Sequence, residues 1–222
     1  MGVKIASSII FLGTGGDSYV VGKQLRASGG IILQFEDNQF HIDPGPGSLV
    51  AAKNYGIDLR ANTTLLVSHN HLNHANDVNA VISAMTYNGF DKNGVLVANN
   101  AVINGDEKSM PYLREFYKNC LEKYIVLEEG QRVGINEIEI KALKAMHSTK
   151  TIGFKFFTPL YTLSYSSDTR YGIEILEEYK NSNILILNVP YLKKEKEQQC
   201  LSKEDAINII EEVKPKLAII TH

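Results

Sequence analysis

The sequence predicts an α+β domain in which two β-sheets pack together with helices on the outer faces. Three observations carry this. Segments with strand character outnumber helical ones. The helices do not alternate with strands as they would in a doubly wound sheet. At 222 residues, 44% hydrophobic and 22% charged, the chain can bury one sizeable core, so a single domain over residues 1–222 is expected.

The elements follow in order. Residues 3–12, 30–36 and 39–43 read as strands, the last two joined by a hairpin turn at Asp37-Asn38. Residues 48–55 form a short helix ending at Gly56, and residues 63–67 a short buried strand. Residues 75–87 are helical, with Val78, Val81, Ile82 and Met85 at helical spacing. Residues 95–98 are strand-like. A helix is predicted over 111–124, opened by Pro111, with an apolar stripe of Leu113, Phe116, Tyr117, Cys120, Leu121 and Tyr124. Strands return at 136–146, 152–157, 160–167 and 183–189. Ser202 and Asp205 make a capping-box start for a helix over 203–213, whose core face is Ala206, Ile209, Ile210 and Val213. Pro215 ends it, and residues 217–221 are the last strand.

Composition excludes several classes. No apolar run approaches the ~20 residues of a membrane helix. The N-terminus lacks a signal-peptide pattern. Cys120 and Cys200 are isolated thiols, which gives no disulfide framework and makes a reducing cytoplasm the expected location. A net charge of -2 argues against electrostatic binding of nucleic acid as the main task.

Gly13-Thr14-Gly15-Gly16 follows a strand but fails the dinucleotide fingerprint, because Ser18 stands at the third glycine position. It fails the P-loop too, since Asp17 replaces the first glycine and Gln24 follows Gly22-Lys23. A tight loop needing positive φ is the expectation. Asp43-Pro44-Gly45-Pro46-Gly47 is turn-rich, and Asp43 is either structural punctuation or a carboxylate that orients metal ligands. The run Lys193-Lys194-Glu195-Lys196 reads as a solvated loop.

Histidine use is the sharpest signal. Three of the six histidines, His69, His71 and His74, sit in one short loop after the strand at 63–67. A loop curled around one point would let these imidazoles converge, and neutral imidazole suits Zn, Fe, Ni or Cu. His147, Asp168 and His222 each follow another predicted strand. Strands running the same way would bring these ends to one edge, which favours a metal site over scattered polar residues.

At these residues the chain resembles the metallo-β-lactamase superfamily. The family's loop is His-x-His-x-Asp-His, and here it reads His69-Asn70-His71-Leu72-Asn73-His74. The order also agrees: Phe11-Leu12-Gly13-Thr14-Gly15-Gly16, then His41-Ile42-Asp43-Pro44-Gly45-Pro46-Gly47, the histidine loop, His147, Ser167-Asp168-Thr169-Arg170, and Ile219-Ile220-Thr221-His222. The branch that holds ribonuclease Z and related phosphodiesterases is the most similar. The resemblance implies an αββα sandwich of two mixed sheets with one or two metal ions, zinc first, with iron or manganese as alternatives. It assigns His69, His71 and His147 to a first site and Asn73, His74 and His222 to a second, with Asp168 bridging. Such metals lower the pKa of a water for attack on phosphorus or a carbonyl.

Two departures matter. The family aspartate is Asn73 here, a neutral amide that can coordinate but cannot accept a proton as general base. This points to a weaker second metal, a slower enzyme or an inactive one. Asp77, one helical turn on, is a weak candidate to compensate. The sequence also ends on His222, where family members usually continue, so either a terminal carboxylate lies beside the metals or the chain extends further.

The expected function is a metal-dependent hydrolase with Asp168 and Asn73 at its catalytic centre and a phosphodiester or cyclic phosphate favoured as substrate. A lactone or thioester hydrolase, and a non-catalytic metal or ligand sensor on the same scaffold, are the alternatives. No long insertion marks the tRNA-clamping arm of ribonuclease Z, which disfavours tRNA processing. No membrane partner is expected, and the helices near 90–125 are left open as a lid or a homodimer surface.

Overall fold

A computed structural model describes residues 7–194 and 198–222. The chain falls into two compact units, Met1–Val126 and Leu127–His222.

The first unit contains strands β1 Ser8–Phe11, β2 Ile31–Phe35, β3 Asn38–Ile42, β4 Asn62–Val67, β5 Val95–Ala98 and β6 Lys123–Val126. They form one six-stranded sheet in chain order. β1, β2 and β3 are antiparallel neighbours, while β3 to β6 run parallel. Its helices are α1 Ser18–Gly22, α2 Ser48–Asn54, α3 Leu72–Ala75, α4 Val78–Thr86, α5 Asn100–Ile103 and α6 Glu115–Cys120. The apolar stripe of α4 packs on this sheet: Val78, Val81, Ile82 and Met85 join Leu12, Ile32, Leu65, Val67 and Leu96 in one buried cluster.

The second unit holds β7 Arg132–Ile135, β8 Ile138–Lys144, β9 Ile152–Phe157, β10 Thr162–Tyr165, β11 Ile184–Asn188 and β12 Leu217–Thr221, with helices α7 Ile173–Tyr179 and α8 Lys203–Val213. The sheet order is β12-β11-β10-β9-β8-β7. β7 to β10 form an antiparallel meander, and β10, β11 and β12 are parallel. β8 therefore runs the same way as β10, β11 and β12. Leu143, Leu185 and Leu187 meet Ile175 and Tyr179 of α7 and Ala206 and Ile209 of α8 in a second core. The capping box at Ser202 and Asp205 forms as predicted.

Several expectations need correction. The first strand spans Ser8–Phe11, and its predicted part at residues 3–6 lies outside the described residues, as do Glu195 and Lys196 of the charged run. The hairpin turn is Glu36-Asp37, because Phe35 pairs with Asn38 and Glu36 takes the positive φ of 51°. The helix predicted over 75–87 is two, broken at Asn76-Asp77 where the Asp77 N–H donates to the Pro44 carbonyl. The helix predicted over 111–124 survives only as Glu115–Cys120. Leu121 leaves it in extended conformation, and Tyr124, Ile125 and Val126 pair with β5 instead. The predicted strand 136–146 begins with a turn at Asn136, φ 51°, that joins β7 to β8.

Gly13 and Gly15 serve closeness, not positive φ. A Cβ on Gly13 would lie 2.2 Å from the Ala27 carbonyl carbon, and Gly15 N–H bonds the Ala27 oxygen at 2.7 Å.

Candidate functional site

In the first unit, parallel strands bring their carboxyl ends together. Asp43 follows β3, Ser68 and His69 follow β4, and Asn99 follows β5. Gly45 lets the loop after β3 reach α3: a Cβ there would stand 2.0 Å from the Ser28 oxygen and 2.1 Å from the Asn73 oxygen. Asp43 is buried and held at φ 51°, a region that costs most residues free energy but that Asp tolerates better.

That strained residue organises the histidine loop. One Asp43 carboxylate oxygen accepts the Ser68 N–H at 2.7 Å. The other accepts the Ser68 hydroxyl at 2.7 Å and His74 Nδ1–H at 2.8 Å. The Ser68 hydroxyl has one proton, and it goes to Asp43. Its contact with His69 Nδ1 at 2.9 Å is then a bond donated by the imidazole. Both His69 and His74 are thus held as the Nδ1–H tautomer, which leaves the lone pair of each on Nε2. His69 Nε2 lies 3.0 Å from His71 Nδ1, and the His69 and His74 ring centroids lie 4.2 Å apart with the planes tilted by 44°. Asn99 Nδ2 donates to the Ser68 carbonyl at 2.9 Å and steadies the start of the loop.

Asn73 sits half-buried on α3, between the imidazoles of His71 and His74 in sequence, and its amide makes no hydrogen bond among the described residues. Asp77 accepts from Asn76 Nδ2 at 2.7 Å rather than from an imidazole.

The second unit repeats the strand-end principle. His147 follows β8, Asp168 follows β10, Asn188 ends β11 and His222 follows β12. His147 Nδ1–H donates to the Gln199 carbonyl at 2.8 Å, so this imidazole also keeps its lone pair on Nε2, 3.8 Å from an Asp168 oxygen. The other Asp168 oxygen lies 3.3 Å from His222 Nε2 and accepts Asn188 Nδ2–H at 2.9 Å. Burial, then the Asp168 carboxylate, push the Cys200 thiol well above its ordinary range, so Cys200 is a neutral neighbour of His147 at 3.9 Å.

The structure therefore brings together His69, His71 and His74 in one unit, and His147, Asp168 and His222 in the other. Ser68, Asn99, Asn188 and Gln199 are partners that sequence reasoning did not assign. None of these carries a motif, and Asn188 lies inside the predicted strand 183–189 rather than after it. The donor set fits a borderline dication such as zinc: five imidazoles and one carboxylate, with His69, His74 and His147 held in one tautomer by a hydroxyl, a carboxylate and a carbonyl.

Structural similarity defines the class first. The metallo-β-lactamase fold protein YhfI from Bacillus subtilis matches with a TM-score of 0.79 at 19% identity, covering 96% of this chain and 84% of that one. The two mixed sheets are those of the metallo-β-lactamase fold. The chain belongs to the beta-lactamase superfamily, whose domain matches residues 38–222. Among relatives, the "Uncharacterized protein MJ1374" of Methanocaldococcus jannaschii is 30% identical over 217 residues, 96% of this chain and 82% of that protein. Ribonuclease Z of Clostridium perfringens is 23% identical over 164 residues, 67% of this chain and 50% of that enzyme. Among the described residues no helix is long and apolar enough to cross a membrane.

Proposed function

We propose that the chain is a metal-dependent hydrolase, with His69, His71 and His147 as ligands of a first ion, Asn73, His74 and His222 of a second, and Asp168 shared. Zinc is the favoured metal. The observation that carries this reading is the common tautomer: His69, His74 and His147 each give Nδ1–H to an acceptor and keep Nε2 basic. Divalent metal, when bound, lowers the pKa of a water and offsets charge on the reacting oxygens.

The chain's own residues supply orientation. Asp43 and Ser68 fix two imidazoles, Gln199 fixes a third, and Asn188 fixes the carboxylate of Asp168. Asn73 adds no charge and takes no proton, so proton removal falls to Asp168. The family match crosses from one unit into the other, which supports reading residues 1–222 as one functional domain. Buried, unpaired Cys120 and Cys200 support a reducing, cytoplasmic setting.

A phosphodiester or cyclic phosphate is the favoured substrate, supported by the likeness to a ribonuclease. Lactone or thioester hydrolysis is the second reading, and Asn73 favours a third, a sensor without turnover. The test is metal content together with rates on phosphodiester, lactone and thioester reporters. Metal bound with phosphodiester turnover is expected. Elemental analysis without metal, and none taken up on reconstitution, would defeat the reading.

A further inference from the structure

A cation row crosses the outer part of the second unit's sheet. Arg132 of β7 faces Lys141 of β8, and Lys141 faces Lys155 of β9, each as direct partners in the ladder. Three like charges on adjacent strands, side by side on one face, oppose folding unless something neutralises them. Together with Lys180, which follows α7, they line a cleft of about 360 Å³. That volume lies in the range of small-molecule sites, ~300–1,000 Å³.

The carboxylates present cover only part of this charge. Arg132 pairs with Glu139, Lys141 with Glu178 at 2.7 Å, and Lys180 with Glu177. Lys155, the most buried of the four cations, has no ion-pair partner among the described residues. Its ammonium group donates to the carbonyls of Glu178 and Lys180 at the end of α7. An ammonium has three N–H donors, so the capping role uses two and leaves capacity for one more acceptor. Arg132 also lies over the Phe157 ring, 5.1 Å from its centroid, which holds the guanidinium plane at the cleft.

The cleft is remote from the candidate metal ligands of the same unit. Thr162, which lines it, opens β10, whereas Asp168 follows the other end of that strand. The four residues of β10 lie between them, on the order of 10 Å of extended chain.

We propose that this cleft is a binding site for a phosphate group, carried by a small phosphorylated molecule or by a phosphodiester chain. A forked guanidinium, two lysines on neighbouring strands and a further lysine match the several oxygens of phosphate. The surplus charge lies inside a recess large enough for more than a lone ion. The proposal does not depend on the metal reading, because none of these residues is among the candidate ligands.

The test uses the full chain at constant ionic strength. Inorganic phosphate and pyrophosphate are titrated in one arm, and a short single-stranded RNA in another, by calorimetry with thermal shift as a second readout. Saturable binding is expected in at least one arm. Arg132→Gln with Lys141→Gln should weaken it by about tenfold or more, the loss expected when charge-assisted bonds go. Glu178→Gln removes a competing carboxylate and should tighten binding, an effect that general damage to the fold would not produce. Binding of pyrophosphate points to a small ligand, and binding of RNA alone points to a chain. No saturable binding in either arm, or binding that all these variants leave unchanged, would overturn the proposal.

Discussion

The two units carry the same kind of residue at strand ends but hold it differently. In the first, three histidines come from one loop, and two of them share one anchor, Asp43, which holds His74 directly and His69 through Ser68. In the second, His147, Asp168 and His222 arrive from three separate strands, and each polar anchor is neutral: the Gln199 carbonyl and the Asn188 amide. A single charged anchor concentrates risk in one residue. Separate neutral anchors spread it.

Breaking the charged anchor should have the largest effect. Asp43→Ala strips acceptors from the Ser68 N–H, the Ser68 hydroxyl and His74, all buried. Loss of one partner of a buried charged network costs ~3–5 kcal/mol, and second-layer partners are worth ~10–100-fold in metal affinity. Chemical denaturation and metal titration are the measurements. A loss under about 1 kcal/mol, the scale of one ordinary hydrogen bond, would show that the unit does not depend on this anchor.

Acid should separate the units next. His41 of β3 is fully buried, with its Nε2 bonded to the Gly29 carbonyl at 3.0 Å, and burial pushes its pKa down to about 4. The unfolded chain takes up this proton near the ordinary value of 6.5, the folded chain only near 4. Between those values the unfolded state binds more protons. The stability is therefore complete above about pH 6.5 and falls as pH drops towards 4, by about 3 kcal/mol in all. Unfolding measured across that window, beside His41→Gln, checks it. The variant should show a shallower pH slope over this range, and equal slopes would remove His41 from the account.

Neutral anchoring should cost less. Asn188→Ala leaves Asp168 one donor short and opens a small gap, a loss of about 1–3 kcal/mol and a smaller fall in metal affinity than Asp43→Ala gives. If Asn188→Ala proves the more damaging of the two, the contrast between the units is reversed.

The same contrast explains what could be read from the sequence. The first unit's loop was legible because three rare residues fall within one short segment. The second unit's residues were legible only through their places at the ends of predicted strands. Asp43 stayed undecided, since its role depends on a 2.7 Å bond to a serine 25 positions away. Gln199 and Asn188 carry no motif, being ordinary amides made useful by topology. Of the fold, strands 95–98, 152–157 and 217–221 agree residue for residue, since each is a short run rich in β-branched, aromatic or leucine side chains. The stripe from Leu113 to Tyr124 misled because Tyr124 suits a strand as well as a helix, and its pairing with Leu96 of β5 decided between them. Helix α7 was missed because only Ile175 and Tyr179 of its residues are buried, too few to show a period.

Asn73 gives the smallest and most discriminating test. It sits on α3 beside His74, in the unit whose order depends on a charged anchor, yet it is itself neutral. Asn73→Asp keeps the side-chain shape, so the half-buried position should accept it without a change in fold. The new carboxylate adds negative charge among imidazoles, and it can take a proton where the amide cannot. General-base assistance is worth ~10²–10⁴-fold in favourable cases, so a gain of about tenfold is a fair threshold for a chain that already turns over. The rates of both forms are compared at saturating zinc on phosphodiester, lactone and thioester substrates, and zinc affinity is measured alongside. A higher rate on the phosphodiester alone supports the phosphorus-centred reading, and a higher rate on the lactone or thioester alone supports the carbonyl-centred one. Tighter zinc without turnover in either form identifies a sensor. Equal rates in an active wild type would remove position 73 from the chemistry and leave Asp168 as the one proton acceptor.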